Sequence, residues 1–405
     1  MKPKTNTKLN RSLGLPLLTL YGLGNILGAG IYVLVGKVAG FSGTGTVLSF
    51  ILAMLVAGVT AFSYMELSGR YPVSASVSVY LHKAFGRKNL SVLIGLAMVA
   101  GGIASAAALS QGFAGYLSTF FDIPKALASL SLITFIGLLA FKGINESAKA
   151  AAFFTLIEIL GLVLVIWFGR DAFVSMSASR ILSVDPTYGI SGLIAGAFLA
   201  FYAFIGFEDM ANVAEEAKNP KKNMPLAILI SLIASTVLYL LVVVVATTIV
   251  SPQELASSGA PLSLVVQRSI YDAGFAISII GLVAAFNGVI VQVIMGSRIL
   301  YGLSMQGWIT SIFSKVHGKF QTPTVATLVV VLLMMAGTVL LPLVSLAQIT
   351  SLLVLSIFAA VNLSLVVIKK RHPAHQGYIS VPKLIPQTGF LMCLSLIGYQ
   401  LYSWV

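Results

Sequence analysis

The part of this sequence with the clearest chemical content is backbone, exposed by glycine. The run Gly22-Leu-Gly-Asn-Ile-Leu-Gly-Ala-Gly30 lies inside one long apolar stretch, and the run Phe201-Tyr-Ala-Phe-Ile-Gly-Phe-Glu208 lies inside another. A helix interrupted near Gly28 leaves carbonyls before the break and amide N–H groups after it without helical partners, and glycine tolerates the unwound dihedrals. A carboxylate would meet the N–H groups of Ala29, Gly30 and Ile31 at the positive end of the following half-helix. An ammonium would meet the carbonyls of Ile26, Tyr202 and Ile205, with Ala203, Phe204 and Gly206 completing the second run. Such a pair serves both ends of a zwitterion. Gly24 and Gly28 also have the small-xxx-small spacing that lets membrane helices pack closely, so the first run taken alone divides evenly between packing and binding; the matching second run favours binding.

Two acids stand near these runs. Glu158, in Thr155-Leu-Ile-Glu-Ile-Leu160, falls in mid-span, where a carboxylate is costly and is expected to face the bundle interior. It is assigned to ion coupling or proton transfer, against a purely structural hydrogen-bonded acid. Glu208 reads from its position as a packing carboxylate. With no further acid expected near the pocket, a neutral or weakly cationic ligand is favoured. His372 and His375 have no cysteine or carboxylate nearby and read as a solvated basic loop, not a metal site. Cys393 is the only cysteine, so no intrachain disulfide forms. No Gly-x-x-x-x-Gly-Lys loop is present to bind ATP, no cofactor is implied, and the spans lack the converging nucleophiles and acids of an enzyme. A channel filter motif is also missing.

The elements that must hold these residues follow from composition. Of 405 residues, 58% are hydrophobic and 9% charged, so lipid is part of the solvent. The apolar runs are continuous, which selects helices over a barrel. About eleven runs approach the ~20 residues that span a bilayer. They begin near Leu13, Gly45, Leu90, Ala126, Ala151, Gly189, Pro225, Phe275, Thr324, Val344 and Gly389. The run from Leu90 to Phe121 is long enough to imply tilt or a non-helical end. Leu13 to Val38 is too long for a signal-peptide core and reads as a retained first helix. Ser74 to Gly86 reads as an interfacial helix, and Trp167, Trp308 and Trp404 sit near predicted helix ends. Pro225 reads as the first turn of the seventh helix.

The net charge of +13 raises nucleic acid or an acidic membrane surface as partners. Placement decides. With eleven spans and the N-terminus inside, the cytoplasmic segments carry Lys2, Lys4, Lys8, Arg11, Arg70, Lys83, Arg87, Lys88, Lys142, Lys149, Lys218, Lys221, Lys222, Arg298, Lys315, Lys319, Lys369, Lys370, Arg371 and Lys383. The opposite side carries Lys37, Lys125, Arg170, Arg180 and Arg268. This positive-inside bias makes nucleic acid unnecessary and points to a multi-pass protein of the inner (cytoplasmic) membrane.

These residues resemble the amino acid, polyamine and organocation permeases over nearly the whole chain. The resemblance rests on Gly22-x-Gly-x-Ile-Leu-Gly-Ala-Gly-Ile31, on Phe204-x-Gly-Phe-Glu208 followed by Glu215-Glu216-x-Lys218-Asn-Pro220-x-Lys222-x-x-Pro225, and on Ser297-Arg298-x-x-Tyr301 with Gly307. It implies an all-α LeuT-type fold of five plus five inverted helices with helices 1 and 6 broken. Residues 1–405 then form one transmembrane domain, with repeats at about 13–170 and 188–368 and an extra C-terminal helix at about 388–405. It further implies a secondary active permease or exchanger that moves amino acids by alternating access, with a proton as the preferred co-substrate and sodium as the alternative. Polyamine or other amine carriage and a non-transporting nutrient sensor are the other readings. For Glu208 the resemblance implies an alternative of equal weight, a proton-responsive or gating acid. The chain departs from the family pattern at Ala75-Ser76, where a Gly-Gly pair is usual, and at Met305-Gln306, where Arg-Asp is usual. Glu158 replaces the lysine of many relatives, and the twelfth helix is missing, so the resemblance supplies no dimer contact and leaves the oligomeric state open.

Overall fold

The computed structural model describes residues 11–72, 76–142, 148–175, 183–269, 273–317, 320–372 and 378–404. Lys2, Lys4, Lys8, Arg180, Lys319, Ala75 and His375 lie outside the described residues. The regular structure is helical: α1 (Leu15–Leu27), α2 (Ala29–Ser42), α3 (Thr46–Arg70), α4 (Ser76–Phe85), α5 (Lys88–Leu117), α6 (Lys125–Lys142), α7 (Ala148–Phe168), α8 (Ala172–Ser175), α9 (Gly189–Ala200), α10 (Pro220–Ile249), α11 (Pro252–Ser257), α12 (Pro261–Ser269), α13 (Gly274–Met305), α14 (Thr324–Leu340), α15 (Leu343–Arg371) and α16 (Leu384–Trp404). Among the described residues, nine helical stretches are long and apolar enough to cross a membrane, one of them the 56-residue stretch Leu15–Arg70 that includes α1, α2 and α3. Helix α14 is a shorter apolar helix of 17 residues. The chain is a multi-pass membrane protein.

Burial separates two kinds of apolar surface. Leu156, Leu160, Val163 and Trp167 of α7, and Leu127, Phe135 and Leu138 of α6, are more than half exposed except Val163 at 44%. Large apolar side chains lining a helix face in this way suit hydrocarbon, where no polar group is needed. On the inner side, rings interlock edge to face. Tyr64 of α3 packs on Phe207 and on Phe358 of α15, with centroids 5.6 Å apart in each pair, and Phe358 also meets Phe201 at 5.5 Å. These geometries suit the ring quadrupole and tie α3 and α15 to the irregular segment after α9.

Two expectations change here. Helix α4 exists, but Val77, Tyr80, Leu81 and Ala84 are buried within the protein, and the Tyr80 ring meets Tyr64 edge to face at 6.4 Å, so its apolar face covers the bundle. The proline that opens α10 is Pro220, after a left-handed Asn219 (φ 45°), whereas Pro225 stands inside the helix. A proline at the first helical position loses nothing, since that N–H has no helical acceptor.

A buried ionic cluster closes the basic end of α3 and α15. Glu66 is fully buried and pairs with Arg70 one turn later and with Lys369 of α15 at 2.6 Å. Its second oxygen also accepts the Val381 N–H at 2.8 Å, and Lys369 donates to the Ser380 hydroxyl at 3.0 Å. The Arg70 guanidinium lies 5.0 Å from the Tyr378 ring centroid. One carboxylate therefore fastens the chain leading into α16 against two helices. At the opposite end, Asp185 accepts the Thr44 N–H (2.9 Å) and hydroxyl (3.2 Å) and the Thr187 N–H (2.9 Å). The Thr44 backbone bond, foremost, holds its carboxyl below the usual aspartate value. A depressed value means that Asp185 contributes stability above the unfolded-chain value of 3.8 and loses it as pH falls through the lower folded value.

Replacing Glu66 by Gln leaves Lys369 and Arg70 buried with no counter-charge. Breaking one side of a buried pair costs about 3–5 kcal/mol, so the variant is expected to melt well below the wild type in detergent. Glu66→Gln melting at the wild-type midpoint would show that the cluster is hydrated and not a fastening.

Candidate functional site

The site begins with the break between α1 and α2. Gly28 (φ −24°, ψ −168°) leaves the helical region after its N–H donates back to the Gly24 carbonyl at 3.3 Å, and α2 restarts at Ala29 with no side-chain cap. The first amides of α2 are thus left to whatever occupies the adjacent space. The second break follows α9. The chain tightens into a 3-10 turn at Phe201–Phe204, extends at Ile205 (φ −70°, ψ 141°), turns at Gly206 (φ 131°) and continues as a 3-10 helix over Phe207–Glu216. Only glycine suits Gly206, because its φ is positive and a Cβ would overlap the carbonyl of Asn25. The two breaks are therefore in backbone contact.

Hydrogen bonds hold them so. The Tyr239 hydroxyl of α10 lies 2.5 Å from the Ile26 carbonyl and 3.0 Å from that of Ala203, bridging both breaks with one donor. The Gly206 N–H donates to the Glu208 carboxylate at 2.8 Å. Below the breaks, the Leu13 N–H donates to the Glu216 carbonyl (3.0 Å) and the Lys218 N–H to the Leu13 carbonyl (2.8 Å), an isolated parallel bridge that pins the start of α1 to the second irregular segment.

A cavity opens at this junction. Its walls include Gly24, Asn25, Ile26, Gly28 and Gly30 from the first break, Tyr202, Ile205, Gly206 and Asp209 from the second, Ser105 and Leu109 from α5, and Asn287, Gly288, Val291 and Gln292 from α13. Of the residues expected from sequence, Ile26, Gly28, Gly30, Tyr202, Ile205 and Gly206 line it. Ile31, Ala203 and Phe204 are buried elsewhere: Phe204 meets the Tyr239 ring edge to face at 5.3 Å, and Ala203 lies under Gly30, whose Cβ would sit 3.1 Å from the Ala203 Cα. Ala29 contributes the opening amide of α2. The Ile26 and Tyr202 carbonyls already accept from Tyr239 and from the Ile205 N–H (3.3 Å), so a ligand would use their second lone pairs. The Tyr202 hydroxyl reaches Ser105 at 2.8 Å and fixes its ring across the cavity.

The packing and binding roles of the first glycines separate. A Cβ on Gly24 would overlap the Thr155 hydroxyl of α7, whereas one on Gly28 would meet nothing closer than 3.7 Å. Gly24 is a packing glycine; Gly28 serves the bend and the open space.

Glu158 stands behind this wall. It is fully buried, its Oε1 accepts the Asn287 amide at 3.0 Å, its Oε2 has no partner, and its backbone carbonyl accepts the Tyr32 hydroxyl at 2.6 Å. Glu208 is 6% exposed and lines a second cavity that continues from the first. The expectation that no further acid approaches the pocket fails, because Asp209 lines both cavities. In the 3-10 winding after Gly206 consecutive side chains leave the axis about 120° apart, so Asp209 reaches the first cavity while Glu208 reaches only the second. Asn25, Ser105, Asn287 and Gln292 were also missed. A polar side chain in a long apolar helix such as α13 was their signal.

Comparison with known proteins gives a consistent neighbourhood. A family model described as amino acid permease matches residues 13–403. A branched-chain amino acid permease of Bacillus subtilis is 31% identical, covering 96% of this chain and 88% of that protein. A methylthioribose transporter of the same organism is 28% identical, covering 95% and 87%. The human cationic amino acid transporter 4 is 30% identical, covering 97% of this chain and 66% of that longer protein.

Two substitutions test the junction. Gly206→Ala forces a Cβ onto the Asn25 carbonyl and strains φ, which costs on the order of 1–3 kcal/mol, so ligand protection and melting midpoint both fall. Tyr239→Phe removes one buried donor from two carbonyls and is expected to destabilise by about 1–3 kcal/mol. Wild-type melting for both variants in detergent would mean that the breaks are not coupled.

Proposed function

This chain belongs to the amino acid permease family, and on that premise we propose that it carries an amino acid through the cavity at the two breaks by alternating access. The observation that carries this reading is the meeting of both breaks in one cavity, lined by Ile26, Gly28, Gly30, Tyr202, Ile205 and Gly206, beside the uncapped start of α2. The substrate carboxylate would bind the amides of Ala29, Gly30 and Ile31, and its ammonium the carbonyls of Ile26, Tyr202 and Ile205.

The reading extends to topology. Counting α1 with α2 as one crossing, α3 as a second and α14 as a full crossing gives eleven spans, with inverted repeats at about 13–170 and 188–368. The basic residues then collect on one side, which favours an inner-membrane protein with a cytoplasmic N-terminus. Single cysteines at Lys83, Lys221 and Lys370 are expected to react with an impermeant maleimide only after permeabilisation. Reaction of two of them in intact cells overturns the eleven-span arrangement.

Glu158 is proposed as the coupling group. Its unpartnered Oε2, held beside Asn287 on the cavity wall, is a place for a proton, with sodium as the alternative ion. In proteoliposomes, wild-type uptake of a labelled amino acid is expected to respond to an imposed pH gradient. Glu158→Gln is expected to exchange substrate but to lose that response. A variant with unchanged gradient dependence returns the coupling to Glu208, and absence of any amino acid exchange by the wild type removes the transport reading itself.

A further inference from the structure

Resting on that reading, we propose that Asp209 forms a side-chain subsite for a cation, so that the preferred substrates are L-amino acids with a long basic side chain. Asp209 stands three residues past the Gly206 turn, is 6% exposed, and its Oδ1 has no hydrogen-bond partner. It lines the cavity at the breaks and also the second one, and Ser105, Ile205 and Gln292 share that position. The carboxylate therefore sits at the neck between the two.

The inventory of unpartnered groups points the same way. Asp209 Oδ1, Asn287 Oδ1 and Gln292 Oε1 are acceptors, and Asn25 Nδ2 is the one donor among the unpartnered atoms of the first cavity's described side chains. The orientation of Asn287 is set chemically, since its amide nitrogen donates to the Glu158 carboxylate. A ligand that satisfies this wall must bring N–H groups in excess of acceptors. The carboxylate of an amino acid is already matched by the α2 amides, so the donors have to come from its side chain; a guanidinium offers five and an ammonium three.

Shape and charge agree. Met98, Met295, Val354 and Ile357 give the second cavity apolar walls, suited to the methylene stem of lysine or arginine. Among the described residues, no lysine or arginine lines either cavity, so nothing internal neutralises Asp209. Glu208 is engaged by the Gly206 N–H and adds a second carboxyl group to the wall of the second cavity. A buried carboxylate without a counter-charge is unfavourable, and a cationic side chain supplies one.

The test is counterflow by the full chain in proteoliposomes, with labelled L-arginine and labelled L-leucine loaded separately. In the wild type, arginine and lysine are expected to compete at concentrations at least about tenfold lower than citrulline and norleucine, their uncharged counterparts of similar shape. In Asp209→Asn the arginine-to-citrulline ratio is expected to collapse toward one. Equal competition by citrulline and arginine in the wild type overturns the subsite, and that comparison needs no variant to fold. An unchanged ratio in a normally melting Asp209→Asn overturns it as well. Leucine exchange without arginine competition sinks the cation subsite and leaves the permease reading standing, whereas no exchange of any amino acid sinks both.

Discussion

Backbone groups that lose their helical partners inside a low-dielectric bundle must find others, and that constraint organises the centre of this molecule. At Gly28 and at Ile205–Gly206 the helices stop bonding to themselves. Each unmet N–H or carbonyl in such surroundings costs free energy comparable to a lost hydrogen bond. The chain answers by placing the breaks against each other, so that Gly206 touches the Asn25 carbonyl and one tyrosine hydroxyl serves Ile26 and Ala203 together. The start of α2 is left without a side-chain cap, and Gly30 there lines the cavity.

Rigid surroundings make this arrangement usable. Phe204 and Tyr239 pack edge to face behind the breaks, and Tyr64, Phe207 and Phe358 interlock below them. Gly24 lets α1 close on Thr155 of α7. The Glu66 cluster fastens α3 to α15 and to the chain before α16, away from the cavity. Strong pairing is concentrated there, while the cavity keeps unpaired acceptors. That division of polar groups suits a carrier: structural charges are satisfied internally, while acceptors on the cavity wall have no protein partner.

The three acids near the centre differ by their surroundings. Glu158 is walled off from the cavity by Asn287, Glu208 is engaged by the backbone of the break, and Asp209 alone reaches the first cavity. Proximity in sequence did not decide this. Glu208 and Asp209 are neighbours, yet the local 3-10 winding points them into different surroundings.

The membrane class, the approximate course of the apolar helices and the two glycine-bearing breaks were legible in the residues alone. Continuous apolar runs have no aqueous alternative, and glycine in such a run marks either packing or unwinding. The sequence also identified Glu158 as interior, because a mid-span acid has nowhere else to go. Only the tertiary structure separated Gly24 as packing from Gly28 as bend, placed Pro220 at the start of α10, and turned α4 onto the bundle. It alone brought Asn25, Ser105, Asp209, Asn287 and Gln292 to one wall. These side chains come from four separated segments, and their convergence depends on crossing angles and on the irregular winding after Gly206. No local spacing encodes either one, because both are set by which distant helices the breaks pack against.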